Sequence, residues 1–240
     1  MKNLILIVSA ITVVSFFAFT APVRADGVRI MPLGDSMTEA DPGYRGPLYQ
    51  MLTQEGFKVE FVGSKKGDSA KCASPHHEGH GGFTIGPGKS KPDAWSDGKG
   101  NLYDNVDKWL QTKPDIILLL IGINDYLNIG KLQPDYKPDL QGPGKLGALL
   151  DKIHEISPQS KILVSSILPV AWDSRIGRPI NDAIPGLVAT RPFVLFVDLN
   201  KTTAFVAGDW SKDNLHPSEQ GYGKMAKGWF VALKPVLTQP

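Results

Sequence analysis

The residues VRIMPL at positions 28–33 form a mostly apolar run that leads directly into Gly34-Asp35-Ser36. A short, continuous apolar run is typical of a strand that is buried on both faces of a parallel sheet. Glycine permits a sharp turn at the end of such a strand, so this stretch predicts a serine hydroxyl at the edge of the sheet. The alternative is an ordinary turn, or a helix N-cap provided by Ser36 or Thr38.

Further apolar runs predict the rest of the sheet. They are Lys58–Val62, Asp115–Ile121, Lys161–Leu168 and Phe193–Leu199. Apolar residues at helical spacing lie between these runs: Leu48, Met51 and Leu52; Val106, Trp109 and Leu110; Leu146, Leu149, Leu150 and Ile153; and Tyr222, Met225, Ala226, Trp229 and Leu233, ended by Pro235. Strands that alternate with helices predict an α/β fold of one domain, in which a mainly parallel, five-stranded sheet carries helices on both faces.

The charge balance of the chain is close to neutral. The 240 residues include 26 Lys and Arg against 24 Asp and Glu, and removal of Lys2 and Arg24 with an N-terminal signal leaves 24 of each. A zero balance without a basic run argues against nucleic acid or an anionic membrane as the main partner.

Residues 1–25 have the features of a secretory signal peptide. Lys2 is followed by an apolar run to Phe19, and small residues flank Arg24 where a signal peptidase would cut. We therefore expect a signal at 1–25, a domain at 26–240, and a secreted or periplasmic protein without stable membrane insertion. An uncleaved signal anchor is the alternative. Cys72 is the only cysteine, so no intramolecular disulfide can form.

Polar residues that could carry chemistry follow other predicted strands or precede the last helix. Asp213 and His216 are three residues apart, so the carboxylate could orient the imidazole toward a serine; a helix cap is the alternative. Asn124 follows Asp115–Ile121 and could donate to an oxyanion, or could form a simple Asn-Asp turn. Gly82 lies in a Gly-Gly pair that either is a flexible loop or offers a bare N–H to a reacting group.

These four blocks together resemble the SGNH (GDSL-type) hydrolase superfamily: Gly34-Asp35-Ser36, Gly82, Gly122-Ile123-Asn124-Asp125 and Asp213-x-x-His216-Pro217. The resemblance runs from about Arg29 to Leu233 and is strongest to family 3 carbohydrate esterases, among them acetyl xylan esterases.

The resemblance implies a flavodoxin-like α/β/α sandwich and a role for each block. Ser36 would be the nucleophile, His216 the base and Asp213 its orienter, while Ser36, Gly82 and Asn124 would form the oxyanion hole. Substrate contacts are expected from Asp35, Tyr44 and Tyr126, and neither a cofactor nor a metal is expected. The implied activity is hydrolysis of short, acetyl-type esters of carbohydrate through an acyl-enzyme. A lysophospholipase, a thioesterase, a general carboxylesterase and a non-catalytic carbohydrate binder are the alternatives.

Two further groups of residues admit more than one interpretation. A zinc site is an alternative for the cluster of Cys72, His76, His77 and His80. The gap of three residues between Cys72 and His76 fits a known spacing of zinc ligands. Aromatic residues in predicted loops could stack on sugar rings or pack locally: Trp95, Trp172, Trp210, Tyr44 and Tyr126. Trp109 and Trp229 have helical spacing, which favours the core.

Overall fold

The first apolar run forms the central strand of the sheet. A computed structural model of the protein describes residues 27–86, 99–127 and 142–238, and the predicted signal peptide lies outside these ranges. The strands are β1 (Val28–Gly34), β2 (Val59–Phe61), β3 (Lys65–Lys66), β4 (His76–Gly79), β5 (Ile116–Leu120), β6 (Lys161–Ser165) and β7 (Val194–Val197).

Strand β1 is bordered on both sides by parallel neighbours. Along one edge it pairs with β5, from Ile30 opposite Ile116 to Gly34 opposite Leu120. Along the other edge β2 pairs with its first half and β4 with its last two residues, so these two strands share one position in the sheet. Strands β6 and β7 continue in parallel beyond β5, and among the strands of the described residues only β3 is antiparallel. The predicted mainly parallel α/β sheet is confirmed: within the described ranges, seven strands occupy five parallel positions and one short antiparallel edge.

Helices cover the sheet in two groups. They are α1 (Ser36–Glu39), α2 (Arg45–Gln54), α3 (Val106–Trp109), α4 (Ile123–Tyr126), α5 (Gly142–Ile156), α6 (Arg178–Ala189), α7 (Leu199–Thr203) and α8 (Glu219–Leu237). Helices α2 and α7 pack against α8, whereas α3 and α6 pack against α5. All five residues of β5 are buried, as expected for a strand with helices on both faces.

The structure differs from the sequence prediction at several helices and strand ends. Helix α6 was not predicted, because Gly177, Pro179 and the interior Pro185 interrupt its pattern with residues that usually end helices. Helix α8 continues past Pro235 to Leu237. Strand β6 ends at Ser165, three residues before the predicted boundary.

Among the described residues, no helix combines the length and the apolar character that a bilayer span requires.

Candidate active site

The turn after β1 presents Ser36. Asp35 caps α1 by accepting a hydrogen bond from the Met37 N–H at 3.0 Å, which fixes the first residue of that helix. Gly34 is required for this turn, because a side chain there would overlap the carbonyl oxygen of Leu120 on the neighbouring strand. Ser36 is therefore held by the sheet edge and by a capped helix.

The turn before α8 carries the two other polar residues of the predicted triad. His216 Nε2 lies 2.9 Å from Ser36 Oγ, and His216 Nδ1 lies 2.6 Å from Asp213 Oδ2. Asp213 Oδ1 also accepts from the N–H groups of Leu215 and His216, both at 2.9 Å. The structure thus joins Ser36, His216 and Asp213, which are up to 180 positions apart, in one hydrogen-bonded chain.

Asp213 is held in its ionised form. Burial alone would raise the pKa of this carboxyl, but hydrogen bonds from His216, Ser211 and Leu215 outweigh it and hold the pKa well below its usual range. A carboxylate that stays ionised accepts from Nδ1–H and leaves Nε2 of the imidazole to face the serine oxygen.

The segment around Gly82 lies close to Ser36, because a Cβ on Gly81 would stand 3.8 Å from Ser36 Cβ. Gly82 has a φ of 81°, a left-handed conformation that favours glycine. The N–H of Gly81 donates to Glu39 Oε2 at 2.9 Å, and the N–H of Phe83 donates to the His80 carbonyl at 3.1 Å. The N–H groups on either side of Gly82 are thus bound to protein acceptors.

Helix α4 also binds the segment around Gly82. Asn124 Nδ2 donates to the Phe83 carbonyl at 2.9 Å, and Asp125 Oδ2 accepts from the Ile85 N–H at 3.1 Å. One of the two amide hydrogens of Asn124 is used in this contact, and an amide nitrogen carries a second. Asn124 can therefore position the Gly82 segment and donate to a ligand at the same time.

A buried hydrogen-bond network around Glu78, which the sequence did not predict, adjoins the segment around Gly82. Glu78 is fully buried and accepts from the N–H and the hydroxyl of Ser64 and lies 2.7 Å from His80 Nε2. The His80 ring is stacked on Phe83 and Trp109, with centroid distances of 4.9 and 4.2 Å. The sequence showed only that His77, Glu78 and His80 lie close to Gly82 in the chain. It gave no indication that Ser64 is a partner of Glu78.

Three of the four residues considered for zinc, Cys72, His77 and His80, have other side-chain contacts. Cys72 Sγ donates to the Ser74 carbonyl at 3.0 Å, and burial raises the pKa of this thiol. His77 Nδ1 accepts from the Gly79 N–H at 3.1 Å, and burial lowers the pKa of His77 to about 3. Over residues 27–86, 99–127 and 142–238, no group of three or more His, Cys, Asp or Glu side chains is placed to hold a metal ion.

The structure does not place the three predicted substrate-contact residues at a surface. Tyr44 is fully buried beside Trp229, with its hydroxyl 3.3 Å from Thr38 Oγ1. Tyr126 is 2% exposed and its hydroxyl lies against Gly142 at the start of α5. Asp35 is 1% exposed because its carboxyl is turned inward as the cap of α1. All three side chains are buried among the described residues, and their contact with a substrate stays a prediction.

Burial also changes the acidity of Asp35. Removal of the carboxyl from water raises its pKa to about 7, and the negative charges of Asp125 and Glu39 act in the same direction. The hydrogen bond from the Met37 N–H opposes the shift only in part. Asp35 therefore titrates near neutral pH, next to Ser36 in the chain.

The tryptophans differ in their burial and in their contacts. Trp109 and Trp229 are buried in the core, as predicted, and Trp95 lies outside the described residues. Trp210 packs edge-on against Phe205, with ring centroids 4.8 Å apart. Trp172 is 45% exposed.

Comparison with known proteins gives a consistent relationship over most of the chain. The sequence profile of the GDSL-like lipase/acylhydrolase family matches residues 33–224. The multidomain esterase of Ruminococcus flavefaciens is 30% identical over 240 residues, which cover 89% of this chain and 29% of that protein. The putative endoglucanase X of Acetivibrio thermocellus is 32% identical over 141 residues, 57% of this chain and 58% of that protein. The chain thus spans less than two thirds of each of these relatives.

Solved structures share the fold over nearly their whole length. The family 3 carbohydrate esterase of Clostridium thermocellum is 33% identical with a TM-score of 0.70, covering 88% of this chain and 96% of its own. The carbohydrate esterase family 3 structure from Talaromyces cellulolyticus is 28% identical, with a TM-score of 0.69 and coverage of 89% and 99%. An acetyl esterase solved with an acetate ion is 27% identical, with a TM-score of 0.69 and coverage of 88% and 98%.

A hydrogen-bonded Ser-His-Asp chain at the carboxyl edge of a parallel sheet, with helices on both faces, is the arrangement of an α/β serine hydrolase. Within that class, the chain belongs to the GDSL-like lipase/acylhydrolase family. The resemblance first based on four short blocks is thereby confirmed.

Proposed function

We propose that the protein is an exported serine esterase that removes short acyl groups, chiefly acetyl, from carbohydrate. The observation that carries this proposal is the contact of 2.9 Å between His216 Nε2 and Ser36 Oγ, with Asp213 behind the imidazole. A serine becomes a nucleophile when a base accepts its proton, and this geometry supplies the base and its orienter.

The first half of the reaction forms an acyl-enzyme. Ser36 Oγ attacks the ester carbonyl carbon and its proton passes to His216 Nε2. The carbonyl oxygen becomes an oxyanion, which accepts from the N–H groups of Ser36 and Gly82 and from the amide of Asn124. The C–O bond of the alcohol then breaks, and the proton on His216 moves to the leaving sugar oxygen.

The second half returns the enzyme to its starting state. A water molecule gives a proton to His216 Nε2 as its oxygen attacks the acyl carbon, and the same three donors hold the second oxyanion. The bond to Ser36 Oγ breaks, the serine regains its proton from His216, and the free acid leaves. Asp213 keeps its charge throughout and stabilises the protonated imidazole.

The choice of carbohydrate and of acetyl rests on the relatives. Two of the solved neighbours are named as family 3 carbohydrate esterases, and a third is an acetyl esterase with an acetate ion. Export is supported by the apolar, acid-free segment at 1–25 with its small residues before Asp26.

A substrate panel tests the proposal. Purified protein is assayed on acetylated xylan, on p-nitrophenyl esters of increasing acyl length and on a lysophospholipid, with Ser36→Ala as the background. We expect release of acetate from acetylated xylan and a preference for the acetyl ester over longer chains. Faster hydrolysis of long-chain esters or of the lysophospholipid would assign a lipid-type acylhydrolase instead. If no ester were hydrolysed, the protein would instead be assigned as a non-catalytic carbohydrate binder.

A further inference from the structure

The loop after β6 carries an exposed tryptophan at the tip of a tight turn. Val170 and Asp173 form an antiparallel bridge that encloses Ala171 and Trp172. Val170 is buried and anchors the turn in the core, whereas Trp172 is 45% exposed. Tryptophan combines a large apolar ring with an N–H donor and is enriched at binding interfaces.

This turn is attached directly to the catalytic turn. The N–H of Ala171 donates to the carbonyl of Asn214 at 3.0 Å. Asn214 follows Asp213 in the chain, and Leu215 alone separates it from His216. The backbone next to Trp172 is thus bound to the segment that holds the Asp-His pair.

A charged pair follows Trp172 in the chain. Arg175 donates to both carboxylate oxygens of Asp173, from Nε at 2.9 Å and from a terminal nitrogen at 2.8 Å, and its N–H donates to the same carboxylate. The Arg175 side chain is 77% exposed. The turn therefore carries an exposed aromatic ring and, within three residues of it, planar charged groups that can bind hydroxyls.

These features discriminate between classes of ligand. A long acyl chain requires a continuous apolar surface, whereas this turn exposes one aromatic ring and is followed by the charged pair Asp173 and Arg175. A pyranose ring has an apolar face of C–H groups and a rim of hydroxyls, and it matches both parts.

We propose that Trp172, with the Asp173–Arg175 pair beside it, forms a subsite that binds a pyranose ring of the carbohydrate next to the catalytic turn. This subsite rests on the proposed function, because it binds the sugar part of the ester. It lies outside the groups that react, so it acts on substrate selection and not on bond cleavage.

The test compares a substrate that has a sugar with one that has none. Wild type, Trp172→Ala and Trp172→Phe are assayed on acetylated xylotriose and on p-nitrophenyl acetate, with Val231→Ala as the control for loss of an exposed apolar side chain on α8. We expect Trp172→Ala to raise KM for acetylated xylotriose about 10-fold, the size of one stacking contact, and to change p-nitrophenyl acetate hydrolysis less than about 2-fold. Trp172→Phe should retain most of the sugar activity.

Each other outcome counts against the subsite. Equal losses on both substrates would show that Trp172 only supports the catalytic turn, and unchanged kinetics on both would remove any role for the ring. If wild type cleaves p-nitrophenyl acetate but not acetylated xylotriose, the proposed carbohydrate function fails before any variant is compared, and the sugar subsite is overturned with it.

A binding measurement gives an answer even if Trp172→Ala does not fold. The Ser36→Ala protein is titrated with xylotriose while its tryptophan fluorescence is recorded, in parallel with Ser36→Ala/Trp172→Phe. A saturable fluorescence change in the first protein that is absent in the second supports the subsite. The same change in both proteins, or in neither, contradicts it.

Discussion

The side-chain amide of Asn124 donates to the main-chain carbonyl of Phe83 at 2.9 Å, and this bond ties helix α4 to the segment that carries Gly82. Asp125 binds the same segment through the N–H of Ile85. Two hydrogen bonds therefore join the turn after β5 to the loop after β4. An oxyanion hole depends on donors that are fixed before the charge develops, and this contact is suited to that purpose.

We predict that Asn124→Ala lowers kcat by roughly 10²–10³-fold with a smaller change in KM, because a donor to the developing oxyanion is lost. Steady-state kinetics on p-nitrophenyl acetate measure this, with Gln111→Ala as a matched control. The exposed Gln111 amide donates to the Asp107 carbonyl, and its loss should leave kcat unchanged. A change confined to KM would instead assign Asn124 to substrate binding.

Ser36→Ala should remove nearly all ester hydrolysis and leave the fold intact, because only the hydroxyl that contacts His216 is lost. The assay is hydrolysis of p-nitrophenyl acetate together with circular dichroism. Thr190→Ala removes an exposed hydroxyl that bonds within α6 and is the control. Turnover close to wild type in Ser36→Ala would rule out Ser36 as the nucleophile.

Asp213→Ala should reduce kcat less than His216→Ala does, since orientation of the base is lost but the base remains. The same substitution also removes the acceptor for the N–H groups of Leu215 and His216. Asp213→Asn keeps an oxygen for those groups and separates the two effects. Activity equal to wild type in Asp213→Ala would move the orienting role elsewhere. Asp198, the next carboxylate suggested by the sequence, caps α7 through the Lys201 N–H.

The raised pKa of Asp35 predicts that the unfolding free energy of the protein depends on pH. Its pKa is about 7 in the folded protein and 3.8 when the carboxyl is exposed to water in the unfolded chain, so the folded state holds a proton between these values that the unfolded state has lost. The stabilisation is complete below about pH 4 and is lost as the pH rises through about 7.

Asp35→Asn cannot ionise and should not show this loss. The unfolding free energy of the variant relative to wild type should therefore rise between pH 5 and pH 8 by on the order of 3 kcal/mol. Urea denaturation at the two pH values measures the difference. The Asn side chain keeps an oxygen for the Met37 N–H, so the helix cap is retained. An unchanged difference between the two pH values would mean that Asp35 is ionised in the folded protein throughout.

The strands and the catalytic blocks were predictable because each depends on a local pattern. The apolar runs locate β1, β5 and β6, and the carboxyl ends of parallel strands necessarily meet at one edge of the sheet. The three-residue spacing of Asp213 and His216 left a helix cap open as the alternative, and the four blocks together predicted the contact, which measures 2.6 Å.

Features that depend on distant partners were not predictable. Tyr44 lies in a Gly- and Pro-rich stretch that indicated a surface loop, but Trp229 on the last helix covers its ring. Glu78 is buried because Ser64 and His80 satisfy both of its oxygens, and no periodicity indicates that pairing. Helix α6 was missed because proline at its start and in its interior conceals the pattern.

The most direct test of the central claim is to trap the acyl group on the protein. Enzyme mixed with excess p-nitrophenyl acetate is quenched in acid during turnover, digested and analysed by mass spectrometry, with Ser36→Ala treated in parallel. The proposed mechanism predicts one acetyl group on the peptide that contains Ser36, located on that residue and absent from the variant. An acetyl group on another residue that forms and disappears at the rate of turnover would contradict it.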